Sequence, residues 1–383
     1  MQYRPFGTTG AQVSALGFGM MRLPVHDNDP AKIDEEKTAE MVQYAIEHGV
    51  NYFDTAYPYH REQSEVVVGK LLKGENRKKV YIATKCPTWL VTSRSDYDRF
   101  LDIQLERLQT DHVDMYLMHG INRERWKVMR ETGFDEFLDA AKKDGRITYA
   151  GFSFHDDLDM FKEAVDGYPW HHCQIQYNYM DENYQAGTEG LRYAHSKGLA
   201  VIIMEPLRGG RLAQRGPEEV GRIWDSAPVK RTPAEWGLRW VWNHPEVSVV
   251  LSGMSEMSQL VENINTVETA LPGSLTQEEL KVIERVRDTY LGRVKVGCTG
   301  CEYCMPCPQG INIPEWFDAY NRASIYDTLK DLPGKYEDYK ARLGDLEACV
   351  SCGLCEDQCP QNLTIRQYLR DIRTAALGPK ETP

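Results

Sequence analysis

Apolar and polar positions follow two alternating rhythms along this chain. Short apolar runs, one at 15–19 and others ending near Thr55, Lys85, His119, Ser153, Gln176, Met204 and Ser252, have the length of strands buried on both faces. Between them the period lengthens to that of amphipathic helices, at about 34–48, 63–73, 95–109, 131–144, 157–166, 187–197, 232–243 and 256–268. Eight strand–helix pairs predict an α/β fold, a parallel (β/α)8 TIM barrel with its helices outside. Residues 2–14 read as a hairpin turning at Thr8-Thr9-Gly10, and Thr276 with Glu279 forms a capping box that opens one more helix, to Gly292. Beyond it, helical patterns recur near 314–322, 335–343 and 364–376.

The 383 residues exceed the about 250 that such a barrel needs, which predicts a barrel over 1–292 and a second domain over 293–383. A net charge of −12 without any Lys/Arg-rich run argues against nucleic acid or an anionic membrane as partner. Neither an 18-residue apolar run nor an N-terminal signal-like segment is present, so the expected location is cytoplasmic. Cysteine use separates the two parts. Of ten cysteines, eight lie between Cys298 and Cys359, and only Cys86 and Cys173 precede them. Two dense clusters without a secretory context point to iron or zinc ligation rather than to a disulfide framework.

Three successive strand ends carry candidate chemistry. The run from Gly49 to Tyr59 places Asp54 at a strand end and Tyr59 five residues on; the next two strands end at Lys85 and His119. C-terminal strand ends are where barrel active sites stand. This spaced set resembles the tetrad of the aldo-keto reductases, over roughly residues 1–290. The resemblance implies Tyr59 as proton donor to a carbonyl oxygen, Lys85 as the cation that lowers the phenol's pKa, Asp54 as its anchor and His119 as the group polarising the carbonyl. It also implies contacts to NAD(H) or NADP(H): Ser153, Gln176 and Asn178 at the carboxamide; Met204, Pro206 and Leu207 in the loop Met204–Gly210; Ser252, Gly253 and Met254 at the phosphates; Gln259, Glu262 and Asn263 on the adenine side. Phe154 departs from the family's asparagine, and Met204 stands where many members stack an aromatic ring. Gly253 and Gln259 replace the lysine and arginine of NADPH-specific relatives, and Glu256 adds negative charge. Met20, Met21, Arg22, Tyr57, Trp89, Trp126, Phe154 and Arg208 fall on loops expected to surround the substrate. They suit an apolar or ring-shaped carbonyl or alcohol, with Arg22 or Arg208 for an anionic group.

In the tail, Cys298, Cys301, Cys304 and Cys307, then Cys349, Cys352, Cys355 and Cys359, each run ending in Cys-Pro, resemble the two-cluster ferredoxin pattern. That pattern implies two [4Fe–4S] clusters, one on Cys298, Cys301, Cys304 and Cys359, the other on Cys349, Cys352, Cys355 and Cys307. Zinc is the alternative. The helical periods there suit a mostly helical ferredoxin-like domain. The combined expectation is an oxidoreductase transferring hydride between a nicotinamide and a carbonyl or alcohol, its clusters structural or linked to a ferredoxin or flavoprotein carrier. The alternative is an iron–sulfur electron-transfer protein whose barrel binds a ligand or partner without hydride chemistry.

Overall fold

The computed structural model describes residues 1–298, 300, 302–359 and 361–379. The chain forms two compact units, 1–213 with 231–280, and 214–230 with 281–383. The first begins with an antiparallel hairpin, β1 (Tyr3–Pro5) and β2 (Gln12–Ser14). Eight parallel strands then close a barrel: β3 (Leu16–Gly19), β4 (Tyr52–Asp54), β5 (Tyr81–Cys86), β6 (Val113–Ile121), β7 (Ile147–Phe154), β8 (His172–Gln176), β9 (Ala200–Met204) and β10 (Val247–Ser252), with β10 pairing back onto β3. The TIM barrel expected from the apolar runs is therefore present.

Helices α1 (Glu35–Glu47), α2 (Ser64–Leu71), α3 (Arg94–Leu108), α4 (Arg123–Glu131), α5 (Phe134–Lys143), α6 (Leu158–Asp166) and α7 (Gly187–Ser196) lie between successive strands. After α8 (Glu218–Ser226) come α9 (Pro233–Trp242), α10 (Met257–Thr269) and α11 (Gln277–Leu291). The pattern expected at 131–144 is α5; the preceding α4 was not expected, and Gly133, with φ +69°, separates the two. Helix α8 escaped the periodicity because its nine residues include Gly221; what it buries is Val220, Ile223 and Trp224.

Barrel closure is built on tight sterics. Phe6 and Val13 of the hairpin join Met115, Leu117, Ile202 and Val249 in one buried cluster. Thr8 N–H donates to Gly198 O just ahead of β9, which sets the hairpin across the N-terminal end of the barrel. Arg4, buried there, donates to the carbonyls of Trp242, His244 and Val247, and so satisfies acceptors at the end of α9. Gly151 is required in β7: a Cβ there would lie 2.4 Å from the His172 ring.

The second unit carries α12 (Ile313–Ile325), α13 (Leu332–Leu343), α14 (Leu354–Asp357) and α15 (Ile365–Leu377), as the tail's helical periods predict. Trp316, Phe317, Leu332, Ile365 and Ile372 form its core. Gly344 (φ +83°) lets the chain after α13 touch Gly310 O, which a Cβ would approach to 2.2 Å.

Candidate active site

Parallel pairing of Asp54 with Ala83 puts Asp54, Ala83 and Lys85 on the inner barrel face, with Lys85 one pleat higher. Lys85 is wholly buried, and its Nζ donates to Asp54 Oδ1 at 2.6 Å, Thr55 O at 2.8 Å and Tyr59 Oη at 3.4 Å. Burial, the largest influence, pulls the lysine down, but Asp54 and Tyr59 together outweigh it and its pKa is raised. The group is an ammonium held by a carboxylate.

Tyr59, half-buried, faces the cavity. Burial pushes its phenol above the ordinary value, and Lys85 opposes that shift without cancelling it. Lys85 thus acts in the expected direction, but removal from water is the larger influence, so Tyr59 holds its proton through neutral pH. The His119 ring is 6.2 Å from that of Tyr59 and 5.1 Å from Trp89, edge-on to both. Burial, reinforced by Lys85, holds its imidazole well below the usual value, so it is neutral.

The loop that presents Tyr59 is strained, since His60, Arg61 and Glu62 all have positive φ, of 53°, 49° and 71°. Tertiary contacts hold it. His60 Nε2 accepts from Leu23 N–H and Nδ1 faces Pro30 O; Glu62 pairs with Arg107; Ser64 Oγ bridges Thr55 Oγ1 and Met20 O. Behind Lys85, buried Glu65 accepts from Thr84 Oγ1 and Gln104 Nε2, and the same amide reaches Lys85 O. Sequence reasoning missed His60, Glu65 and Gln104; the Glu65–Arg107 charge pair on neighbouring helical patterns was the available signal.

Asp54, Tyr59, His119, Ser153, Met204, Pro206, Leu207, Ser252, Gly253 and Gln259 line one cavity of about 460 Å³. Ser153 Oγ accepts from Gly120 N–H and keeps its own hydrogen to donate. Gln176 and Asn178 are occupied elsewhere, both donating to Asp181, and Asn178 also to Glu205 O. Beside Ser153 the amide that lines the cavity is Gln174, in register with that serine, with Oε1 buried and unpartnered among the described residues. It lies on the same strand face as Gln176, one pleat lower, and alternation along β8 could have found it.

The phosphate loop is partly self-satisfied. Gln259 Oε1 accepts from the N–H groups of Ser255 and Glu256, the Glu256 side chain accepts from the third residue of α10, and Lys37 pairs with Glu256 at 2.7 Å. Asn263 braces Ser252 Oγ at 3.0 Å, Glu262 accepts from Thr232, and Met254 is buried. Of the loop residues expected around the substrate, Met21 and Arg22 line the cavity, whereas Tyr57 packs on Phe100, Phe154 on Phe161, and Trp126 bonds Glu163. These three aromatics are packing.

In the second unit Cys304, Cys307, Cys349, Cys352 and Cys355 line a cavity of about 110 Å³. It brings together all four thiols of one inferred cluster set, and Cys304 and Cys349 are close enough to Cys355 to raise its pKa further, after burial and Glu356. Cys298 and Cys359 rest on the same core. Cys301 lies outside the described residues. Soft thiolates gathered around one small cavity fit an iron–sulfur group. Among the described residues no helix is long and apolar enough to cross a membrane.

A model of the Aldo/keto reductase family matches residues 15–288, and a 4Fe-4S dicluster domain model matches residues 297–364. The chain is 29% identical over 310 residues to L-galactose dehydrogenase of Arabidopsis thaliana, covering 75% of this chain and 94% of that protein. It is 27% identical over 314 residues to a probable aldo-keto reductase 1 of Glycine max, covering 72% of this chain and 86% of that protein. The holo form of aldo-keto reductase AKR11C1 from Bacillus halodurans superposes with a TM-score of 0.63 at 29% identity, covering 75% of this chain and 96% of that one.

Proposed function

The chain belongs to the aldo/keto reductase family and carries a 4Fe-4S dicluster domain; on that premise we propose that it is an oxidoreductase interconverting a small carbonyl compound and its alcohol with a nicotinamide cofactor. The observation that carries this reading is the buried contact of Lys85 with Asp54 and Tyr59, opening into the cavity that His119 also lines.

A bound nicotinamide would supply the hydride that goes to the carbonyl carbon. The chain's own residues manage the other half of the balance. Tyr59 gives its phenolic proton to the carbonyl oxygen, and Lys85, fixed by Asp54 and Thr55, stabilises the phenolate left behind. In alcohol oxidation the same proton returns to Tyr59. Neutral His119 offers one N–H to the substrate oxygen, and Ser153 with Gln174 would hold the carboxamide. With Gly253 and Gln259 where NADPH-specific relatives place lysine and arginine, and Glu256 adding negative charge, NADH is the cofactor we favour. The cysteines would hold two [4Fe–4S] clusters, which supply one-electron chemistry.

Tyr59→Phe should abolish carbonyl reduction while leaving NADH binding, followed by nicotinamide fluorescence, intact. Full turnover in that variant would remove the role given to Tyr59. A second reading, an electron-transfer protein whose barrel binds a ligand without hydride chemistry, is favoured by the self-satisfied N–H groups of Ser255 and Glu256 just ahead of α10. Wild-type protein that binds neither NADH nor NADPH would decide for it.

A further inference from the structure

Among the described residues of the first unit, every partly buried arginine but one has a carboxylate partner, as Arg77 has Asp114, Arg107 has Glu65, Arg146 has Asp98 and Arg208 has Asp181. The exception is Arg125, in the first turn of α4. Its Nη1 donates to Gly120 O at 2.7 Å, and its side chain makes no other hydrogen bond and no ion pair among the described residues. Gly120 (φ +64°) leaves it room, since a Cβ there would lie 2.6 Å from Arg125 Nη1. The guanidinium lies over Trp89, with Cζ 5.5 Å from the ring centroid, and the Trp89 ring stands edge-on to His119 at 5.1 Å. His155 lines the same cavity as His119; its Nδ1 faces Gln185 Nε2 at 3.4 Å, so in the neutral ring Nε2–H is the donor. Burial lowers the His155 pKa, and Arg125 adds to that against the pull of Gln185; the arginine's charge also bears on His119, after burial, Lys85 and His155. Both imidazoles are therefore neutral, and Arg125 is an unbalanced cation partly withdrawn from water, a state that costs free energy until a counter-charge arrives.

We propose that Arg125, with His155 beside it, binds a carboxylate of the substrate, so that the barrel acts on small carbonyl compounds, or their alcohols, that are also acids. The inference rests on the carbonyl–alcohol reading of the site and names its substrate class. With Nη1 held by Gly120 O, the edge formed by Nε and Nη2 remains to meet both oxygens of one carboxylate. A single guanidinium among neutral donors balances one negative charge, which suits a carboxylate better than a doubly charged phosphate. Trp89 separates the two ends of such a substrate: the carbonyl oxygen at His119 and Tyr59, the acid group at Arg125. In the closed strand order β6, which leads into α4, stands opposite β10, so this charge lies across the barrel mouth from Ser252 and Gly253.

The probes are 4-carboxybenzaldehyde and its neutral methyl ester, given to cluster-loaded protein with NADH or NADPH; binding of each is also measured by titration calorimetry with and without NAD+, where no reduction occurs. Wild type should prefer the acid in kcat/KM and in affinity, and Arg125→Met should lower the acid-to-ester ratio by about tenfold or more, as loss of a charge-assisted hydrogen bond implies, chiefly through KM. Arg125→Lys should recover part of the ratio, and His155→Phe should lower it less than Arg125→Met does. Added salt should raise KM for the acid in wild type and much less in Arg125→Met, a dependence that a merely structural arginine would not give. Reduction of both probes without preference for the acid would overturn the inference and leave the carbonyl reading standing. Acid binding that depends on Arg125, in protein that reduces neither probe, would support the carboxylate site and count against the carbonyl reading. Wild-type protein that neither binds nor reduces the acid would overturn the inference, as would a ratio lost in Arg22→Met but kept in Arg125→Met.

Discussion

Asp54→Asn tests whether the buried pair holds both the fold and the chemistry. The Lys85 ammonium is wholly buried and has three partners: Asp54 at 2.6 Å, Thr55 O at 2.8 Å and Tyr59 at 3.4 Å. At that separation the carboxylate supplies about 6 kcal/mol of attraction for an effective dielectric of about 20. The asparagine keeps a neutral acceptor but no charge. One response is a retained ammonium, and an uncompensated buried charge costs about 3–5 kcal/mol. The other is loss of the proton, and bringing a lysine from about 10.4 to neutrality costs about 5 kcal/mol. Both routes predict a loss of about 3–5 kcal/mol, a large share of the about 5–15 kcal/mol that folded proteins have. Urea unfolding at pH 7 measures it. Carbonyl reduction should fall by about tenfold or more, because the Tyr59 phenolate loses its fixed cation. Asp54→Asn combined with Lys85→Met removes both charges and should recover most of the stability while staying inactive. A single variant within about 1 kcal/mol of wild type, with full turnover, would refute the argument.

The remaining predictions concern titration and metal. His172 is fully buried with neither ring nitrogen partnered among the described residues, and burial followed by His171 lowers it to about 3. The unfolded histidine titrates near ~6.5, so between these values the unfolded state binds the extra proton. Stability should be whole above that pH and fall by about 1.4 kcal/mol per unit below it, and His172→Leu should flatten this slope in urea midpoints at pH 7 and 5; equal slopes would contradict the assignment. The raised Tyr59 phenol and the neutral His119 predict carbonyl reduction that is level from pH 6 to 9 and declines only beyond the ordinary tyrosine range of about 10, whereas alcohol oxidation climbs toward that range. A reduction midpoint near neutrality would show that another group gives the proton. Anaerobically prepared protein should hold close to eight irons and eight labile sulfides, and Cys352→Ala, a change at the cysteine cavity, should remove about half of the iron; zinc in place of iron would refute the cluster reading.

The amino-acid order by itself determined the barrel, its strand ends and the two cysteine runs. Those signals are local: an apolar run such as 80–84 has one way to be buried between helices, and a Cys-x2-Cys spacing is covalent. Asp54, Tyr59, Lys85 and His119 were legible because each stands at or just past a strand end, and closure of the barrel gathers those ends. Only the tertiary structure decided which polar groups remain free to act. Gln174 and Gln176 share a strand face, yet Asp181 takes the second and leaves the first to the cavity. Arg208 and Arg22 look alike in sequence, yet Asp181 neutralises one of them. Gln259 closes on the N–H groups of Ser255 and Glu256, just ahead of its own helix. The tetrad's electrostatics were equally hidden, because the balance of burial against the Lys85 charge at Tyr59 depends on how much water the neighbouring elements exclude. Hydrogen bonds and desolvation are set by partners far apart in the chain, so they exist only once the strands and loops that carry them have met.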